Sequence, residues 1–549
     1  MPMGSLPALL IKHLLFSPVH YDPAQEIVYR GDRRVSYAEF RQRVARLAAM
    51  LKAQGIGPGD TVAVMDYDSH RYLECYFAVP MIGAVLHTVN VRLSSEQLVY
   101  TISHAEDDLI LIHDEFIPLL APIRGRIESV QKFIRLTDEP SDEVVDRIDP
   151  AGLNFVGEYE QLLQTTEPLE TFPDLDENTR ATCFYTTGTT GLPKGVYFSH
   201  RQLVLHALAG LLTLASNGTQ GRFHREDVYM PITPMFHVHA WGIPYMATML
   251  GVKQVYPGKY IPHQLARLID TEAVTFSHCV PTILHMLLND PKNADRDLSR
   301  WKVLIGGASL PKALCRQAID RGVDIYTGYG MSETCPILTI SQLRDAELAL
   351  EMDDQIDRRV RTGQPLPLVA LRVVDAEGRE VTSDDHAPGE VQVRAPWLTQ
   401  GYLKDEKQSE RLWAGGWLHT HDVACRDHTG SIRITDRTKD VIKVGGEWLS
   451  SLELEDVLMQ HPDVSEVAVI GQPAVRWGEI PLALVVPRAG SEPGERDLSH
   501  HVREFVDKGM LPKESILLKV RFVEQVDKTS VGKTNKVALR EKYLTAQED

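Results

Sequence analysis

The stretch TVAVMDYDSHRYLECYFAVPMIGAVLHTVNVRLSSEQLVYTISHAEDDLILIH, residues 61–113, reads as strand, helix, strand, helix, strand. Thr61–Met65, Val85–Val89 and Leu109–His113 are short apolar runs. Leu73–Gly83 and Ser95–His104 between them carry apolar residues at helical spacing. Strands apolar on both faces and joined through helices predict a parallel sheet covered by helices. Upstream, Tyr37–Ala53 has the helical period and Gly-Ile-Gly-Pro-Gly-Asp60 breaks it. Downstream, the same alternation returns in residues 201–330. A strand ends at Val255–Tyr256, followed by helix His263–Asp270, strand Thr275–Cys279, helix Pro281–Leu288, strand Val303–Ile305 and helix Pro311–Arg321.

From about residue 365 the pattern changes to short strands and turns, such as Ala370–Val374 and Glu390–Val393, which predicts a β-rich subdomain. After Asp436 a charged Arg-Thr-Lys-Asp440 stretch leads into a compact mixture: helix Leu452–His461, strands Val464–Gly471 and Leu482–Pro487, helix Ser499–Lys508 and strand Lys519–Val523. The expected fold class is therefore α/β. A large N-terminal domain, residues 1–436, has two α/β lobes and a β-rich subdomain. A small α+β C-terminal domain, residues 437–549, follows a hinge near 437–440.

The chain has 549 residues, 43% hydrophobic and 24% charged, which is a globular composition. A net charge of −17 argues against general binding to nucleic acid or anionic membranes, and leaves room for a local phosphate pocket. Cys75, Cys183, Cys279, Cys315, Cys335 and Cys425 are scattered, without the paired spacing of a zinc ribbon. Reduced thiols and a cytoplasmic location are the simplest expectation. The opening MPMGSLPALLIKHLLF lacks a basic leader, and its apolar run is interrupted by Lys12 and His13, so it does not read as a signal peptide. The apolar run Leu203–Ala215 falls short of the ~20 residues that cross a bilayer, so no stable membrane insertion is expected. A homodimer is left open.

The strongest chemical signal is Tyr185-Thr-Thr-Gly-Thr-Thr-Gly-Leu-Pro-Lys194-Gly. Gly188, Gly191 and Gly195 let backbone amides approach a polyphosphate. The hydroxyls of Thr186, Thr187, Thr189 and Thr190 add donors, and Lys194 adds mobile positive charge. The order does not fit G-x-x-x-x-G-K-[ST], so this is not a Walker loop.

With this loop the sequence resembles the adenylate-forming superfamily of acyl-CoA synthetases, luciferases and peptide-synthetase adenylation domains. Within it, fatty acyl-CoA synthetases are the nearest resemblance. Further matches follow in order between about Val28 and Tyr543: Thr327-Gly-Tyr-Gly-Met-Ser-Glu-Thr334, Gly416-Trp-Leu-His-Thr-His-Asp422, Asp436-Arg-Thr-Lys-Asp440, Lys443-Val-Gly-Gly-Glu447 and Thr529-Ser-Val-Gly-Lys-Thr534. The resemblance implies that Thr327, Gly328 and Tyr329 hold the adenine side of ATP, with Tyr329 stacked on the base, and that Ser332 touches phosphate. It implies that Glu333, helped by Thr186, holds Mg²⁺, a cation that prefers oxygen ligands. Asp422 is expected to accept both ribose hydroxyls, joined by Arg437. His421 stands before it where the family usually has Gly. If that position needs a positive φ, His carries a modest strain cost.

Lys533 is the catalytic candidate implied for the first half-reaction, its ammonium stabilising charge that builds on the α-phosphate. Thr534 and Asn535 follow it where an apolar residue and Asp are commoner. Lys439 is the implied pivot of a domain rotation that exchanges Lys533 for the loop of Lys443, Gly445 and Gly446. That loop would line a tunnel for the pantetheine arm of coenzyme A.

Pro234-Met-Phe-His-Val-His-Ala-Trp-Gly242 resembles the segment that floors the family's acid pocket, with His237 orienting the carboxylate and Val238 and Trp241 lining the acyl channel. Gly306 would form the opposite wall and Gly307 would lie beside the nucleotide. Outside this context a lone His or Trp is usually core. Apart from His237 and His239 no charged side chain falls among these candidates, which points to an uncharged tail, because a buried unpaired charge is costly.

The reading is an ATP-dependent acid–thiol ligase that forms acyl-CoA from a medium- to long-chain acid through an acyl-adenylate. The alternatives are a short, branched or sulfur-containing acid, and delivery to a carrier protein or an amine. A nucleotide-binding module without catalysis and a luciferase-like oxygenase stand further off. No G-x-S-x-G elbow supports Ser-His-Asp hydrolysis.

Overall fold

A computed structural model describes residues 7–138, 152–186, 192–445, 447–529 and 534–544. Among these residues four sheets form. One runs in the order Phe155–Glu158, Lys132–Leu136, Asp107–His113, Thr61–Met65, Val85–Thr88, Arg180–Thr186, Lys194–Ser199. Its pairings are parallel up to Arg180–Thr186, and the last strand turns back antiparallel. The second large sheet contains the parallel core Asp324–Gly330, Lys302–Ile305, Phe276–Cys279, Val228–Ile232, Lys253–Tyr256, Glu26–Tyr29, with antiparallel strands at both edges.

The helices form where capping and periodicity agree. Ser36 accepts the amide of Glu39 at the head of Tyr37–Ala53, and Ser94 and Ser199 make capping boxes with Gln97 and Gln202. Helices Tyr37–Ala53 and His70–Met81 pack together, and one continuous core joins both lobes through Phe40, Phe77, Tyr245 and Trp397.

An antiparallel sheet of Ala370–Val374, Gly389–Arg394, Leu418–Arg426 and Ile432–Arg437 forms the β-rich subdomain. A separate C-terminal sheet contains Ile442–Val444, Glu447–Leu449, Val464–Ala474, Gly478–Pro487 and Lys519–Phe522, with its own core around Leu454, Val469 and Val485. The strand expected at Leu482–Pro487 starts earlier, at Gly478, because it pairs along its full length with Val464–Ala474.

This topology places the chemistry. The strands Arg180–Thr186, Val228–Ile232, Lys302–Ile305 and Asp324–Gly330 all end where a candidate segment begins. Ligands of open α/β sheets bind at the carboxyl ends of such strands. No helix among the described residues is long and apolar enough to cross a membrane.

Candidate active site

The ends of the Thr/Gly loop are clamped by a hairpin in which Thr186 pairs with Lys194 and Tyr185 with Gly195. A β-carbon at Gly195 would lie 3.0 Å from Leu403 Cβ and 3.2 Å from the Tyr185 ring, so glycine lets the hairpin and the segment after it close together. That segment is held by the Leu403 amide on the Gly195 carbonyl at 2.8 Å and by a bridge between Val196 and Tyr402. Thr187, Gly188, Thr189, Thr190 and Gly191 lie outside the described residues, as do Gly446 and Lys533.

The bridge brings Tyr402 between two predicted residues. Its hydroxyl donates to Glu333 Oε1 at 2.7 Å, and Lys194 Nζ lies 4.6 Å from the centre of its ring. Burial pushes the Glu333 carboxyl up, and the Tyr402 hydrogen bond offsets part of that shift. Sequence reading missed Tyr402. A single tyrosine in Thr-Gln-Gly-Tyr-Leu offers no periodicity or spacing that marks it.

Among the residues expected at the nucleoside, Tyr329 Oη donates to Asp422 Oδ2 at 2.7 Å, and Arg437 Nε lies 3.4 Å from Asp422 Oδ1. Strand register pairs Asp422 with Arg437 directly. Burial and the Asp422 charge push the Tyr329 phenol well above its ordinary value. Next to Tyr329, Gly330 is required by space: a β-carbon there would stand 1.8 Å from the Pro336 carbonyl oxygen. The Thr327 hydroxyl is engaged with Ser341 Oγ at 2.9 Å and the Arg359 carbonyl at 3.1 Å, which fixes the strand end beneath Gly328. Ser332 opens the short turn that carries Glu333. His421 has φ +58°, so the position is one where glycine would be unstrained.

His237, Trp241 and Gly307 line one cavity, together with Thr233, Tyr260 and Arg92. Val238 turns into the core at 1% exposure. Val238, His239, Ala240 and Trp241 have φ of +49°, +54°, +46° and +60°, four consecutive left-handed residues. Such residues cost about 1–2 kcal/mol each and persist where the surroundings over-determine them. Here they aim the Trp241 indole across Gly306, whose β-carbon would lie 3.0 Å from Cη2, and onto His278 at 4.9 Å between ring centres. His239 is fully buried against Tyr76 and Phe184, and burial brings its pKa down to about 3, so it is neutral. Arg92, which sequence reading did not place among the pocket candidates, adds a positive charge to this lining and no acidic group. This residue follows strand Val85–Thr88 by four positions and lines the cavity from beyond that strand's carboxyl end.

At the domain junction, Thr438 donates its amide and its hydroxyl to the His421 carbonyl at 2.9 and 3.0 Å. Two residues on, Asp440 Oδ1 accepts from Arg540 of the C-terminal helix at 2.7 Å. Lys439 lies between these anchors, and burial lowers its ammonium pKa. Lys443 and Gly445 bond within the C-terminal domain: the Lys443 amide to Glu479 at 2.9 Å, and the Gly445 amide to the Trp477 carbonyl at 2.7 Å.

Residues 18–403 match the AMP-binding enzyme family, and residues 453–533 match the AMP-binding enzyme C-terminal domain. A long-chain-fatty-acid–CoA ligase of Thermus thermophilus is 42% identical over 93% of this chain and 90% of its own. A 3-methylmercaptopropionyl-CoA ligase of Ruegeria pomeroyi is 37% identical over 97% of both chains. Among solved structures, the anthranilate CoA ligase AuaEII in complex with anthranoyl-AMP superposes with a TM-score of 0.83 at 22% identity over 98% of each chain, a likeness of fold.

Proposed function

This chain belongs to the AMP-binding enzyme family, carrying its large and C-terminal domains in order, and we propose that it is an ATP-dependent ligase joining a medium- to long-chain fatty acid to coenzyme A. The observation that carries this reading is the meeting of Lys194, Tyr402 and Glu333 on one side, and Tyr329, Asp422 and Arg437 on the other. The fatty-acid–CoA ligase relative supports the choice of acid.

In the first half-reaction a carboxylate oxygen attacks the α-phosphorus of ATP and pyrophosphate leaves. In the second the thiol sulfur of coenzyme A attacks the acyl carbonyl and AMP leaves. Asp422, an acceptor on both oxygens, suits the ribose diol, and Tyr329 and Arg437 hold that carboxylate in place. His237 faces the cavity that takes the acid, and Lys194 and Lys533 supply positive charge where the phosphates gain negative charge.

Glu333 is a buried carboxylate, and Thr186 at the end of its strand would add a hydroxyl oxygen; among the described residues no group of three or more His, Cys, Asp or Glu could make a protein cage. One buried carboxylate completed by substrate phosphates is the usual setting for Mg²⁺, so these residues fit it. Bound there, Mg²⁺ would offset charge on the triphosphate.

Lys439 is the proposed pivot. Thr438 before it is tied to the large domain and Asp440 after it to the C-terminal helix, so a rotation between those ties is taken up at Lys439. The rotation would exchange Lys533 for Lys443, Gly445 and Gly446. A cytoplasmic location is proposed from the six free, buried cysteines.

The position of Trp241 favours a second reading. Its indole is wedged between Gly306 and His278, which suits a short, branched or sulfur-containing acid, such as the substrate of the Ruegeria relative. Rates with straight-chain acids of increasing length, compared with short sulfur-containing acids, separate the two. A maximum at medium or long chains supports the first, and a maximum among short acids replaces it with the second.

A further inference from the structure

A cluster of charge lies behind the ribose side of the site. His421, on strand Leu418–Arg426, has φ +58° without being glycine. Its backbone amide donates to Glu390 Oε1 at 3.2 Å, and its Nδ1 stands 3.3 Å from the same oxygen. The other Glu390 oxygen is 2.9 Å from His419 Nδ1, and His419 Nε2 lies 3.0 Å from the Ala414 carbonyl oxygen. The left-handed backbone at His421 is thus held by a carboxylate on the neighbouring strand.

Two functional attachments leave this one residue. The next residue is Asp422, which meets Tyr329 and Arg437. The His421 carbonyl takes both hydrogen bonds from Thr438, the residue before Lys439. We propose that His421 is a positioning residue: while its imidazolium is paired with Glu390, it fixes Asp422 for the nucleotide and Thr438 for the pivot, and loss of that charge loosens both. The inference rests on the nucleotide-binding reading above.

The direction of the pH response follows from the groups around the ring. The Glu390 hydrogen bond raises the His421 pKa above its ordinary value, burial opposes that, the charges of Glu390 and Asp422 assist it, and Lys194 opposes it. His419 lies on the same strand at 6.2 Å between ring centres, and Arg437 faces Asp422. Burial works against ionised Glu390, but hydrogen bonds from His421 and Gln392 and the nearby His419 bring it down to about 2. The carboxylate is therefore present at every working pH. The pair is complete below the ordinary histidine pKa and is lost as pH rises through the raised value.

The test uses the intact chain, with AMP as probe, and compares affinities at about pH 6 and about pH 8.5, either side of a histidine titration. Asn tolerates the left-handed backbone and carries no charge, so His421→Asn is the principal variant, with His421→Gly and Glu390→Gln beside it. The phosphate titration of AMP is common to all four proteins and cancels in their ratios. Relative to His421→Asn, the wild type is expected to lose a further two- to tenfold (roughly) in affinity on going to the higher pH, the factor carried by about one net hydrogen bond. Tryptic cleavage after Arg437 and Lys439, measured without nucleotide, is expected to accelerate with pH more in the wild type than in the variants. Equal pH ratios for wild type and His421→Asn in both measurements would overturn the proposal. Absence of AMP binding in every protein would sink the functional reading instead, and the tryptic comparison would still decide the pivot half. If Glu390→Gln fails to fold, the two His421 variants carry the comparison.

Discussion

Tyr402 hydrogen-bonds Glu333 at 2.7 Å, and the two are 69 residues apart in the chain. The tyrosine reaches the carboxylate because its backbone bridges Val196, just beyond the Thr/Gly loop. One side chain thereby ties the loop's lysine to the proposed metal-side carboxylate.

Tyr402→Phe should keep the fold and impair the first half-reaction. Removing a donor from a buried carboxylate costs about 1–3 kcal/mol, so a fall of roughly 5- to 100-fold in kcat/KM for ATP is expected. The Tyr402 bond lowers the Glu333 pKa against the pull of burial, so its removal should move the acidic limb of the pH–rate profile to higher pH. A pH series of pyrophosphate release on both proteins checks this. An unchanged acidic limb would detach Glu333 from that ionisation.

Asp422→Ala should weaken ATP binding about 10- to 100-fold, the range for lost hydrogen bonds to a charged group. It also removes one partner of the partly buried Tyr329 hydroxyl, so a small loss of stability should accompany the effect. Titration calorimetry with ATP and with a ribose-lacking triphosphate separates these contributions. Affinity for the second ligand should change far less.

Gly330→Ala should be severely destabilising, because its new methyl would meet the Pro336 carbonyl oxygen at 1.8 Å. Either the turn carrying Ser332 and Glu333 shifts or the protein fails to fold. A thermal melt shows the first as a lowered Tm with lost activity. A wild-type Tm would contradict the packing described.

Trp241→Ala should cost about 3–5 kcal/mol, as for other buried aromatic residues. It also frees the space against Gly306 and His278. The optimum acyl length should move to longer chains, read from kcat/KM across straight-chain acids. An optimum that stays in place would show that Trp241 does not set the length of the pocket.

The fold was legible where local rules and tertiary packing agree. Tyr37–Ala53 carries its own cap, its own period and a glycine-rich stop, and the structure gives the same bounds. The proposed nucleotide side was readable as motifs because Tyr329, Glu333 and Asp422 each sit in a short, distinctive stretch, and the structure brings Tyr329 and Asp422 together. Tyr402, Arg92 and Glu390 were not legible. Each acts through a partner distant in sequence, and neither spacing nor composition records which strands will lie side by side. His421 was visible as an unusual residue, and the structure adds why it is tolerated: Glu390 holds its backbone amide and its ring.

A two-step ligation is decided by pyrophosphate release with ATP, Mg²⁺ and a panel of straight-chain acids, measured with and without coenzyme A. A ligase of this kind should show acid-dependent release that rises with coenzyme A, with acyl-CoA as product. Acid-dependent release that coenzyme A leaves unchanged, with no acyl-CoA formed, would contradict it.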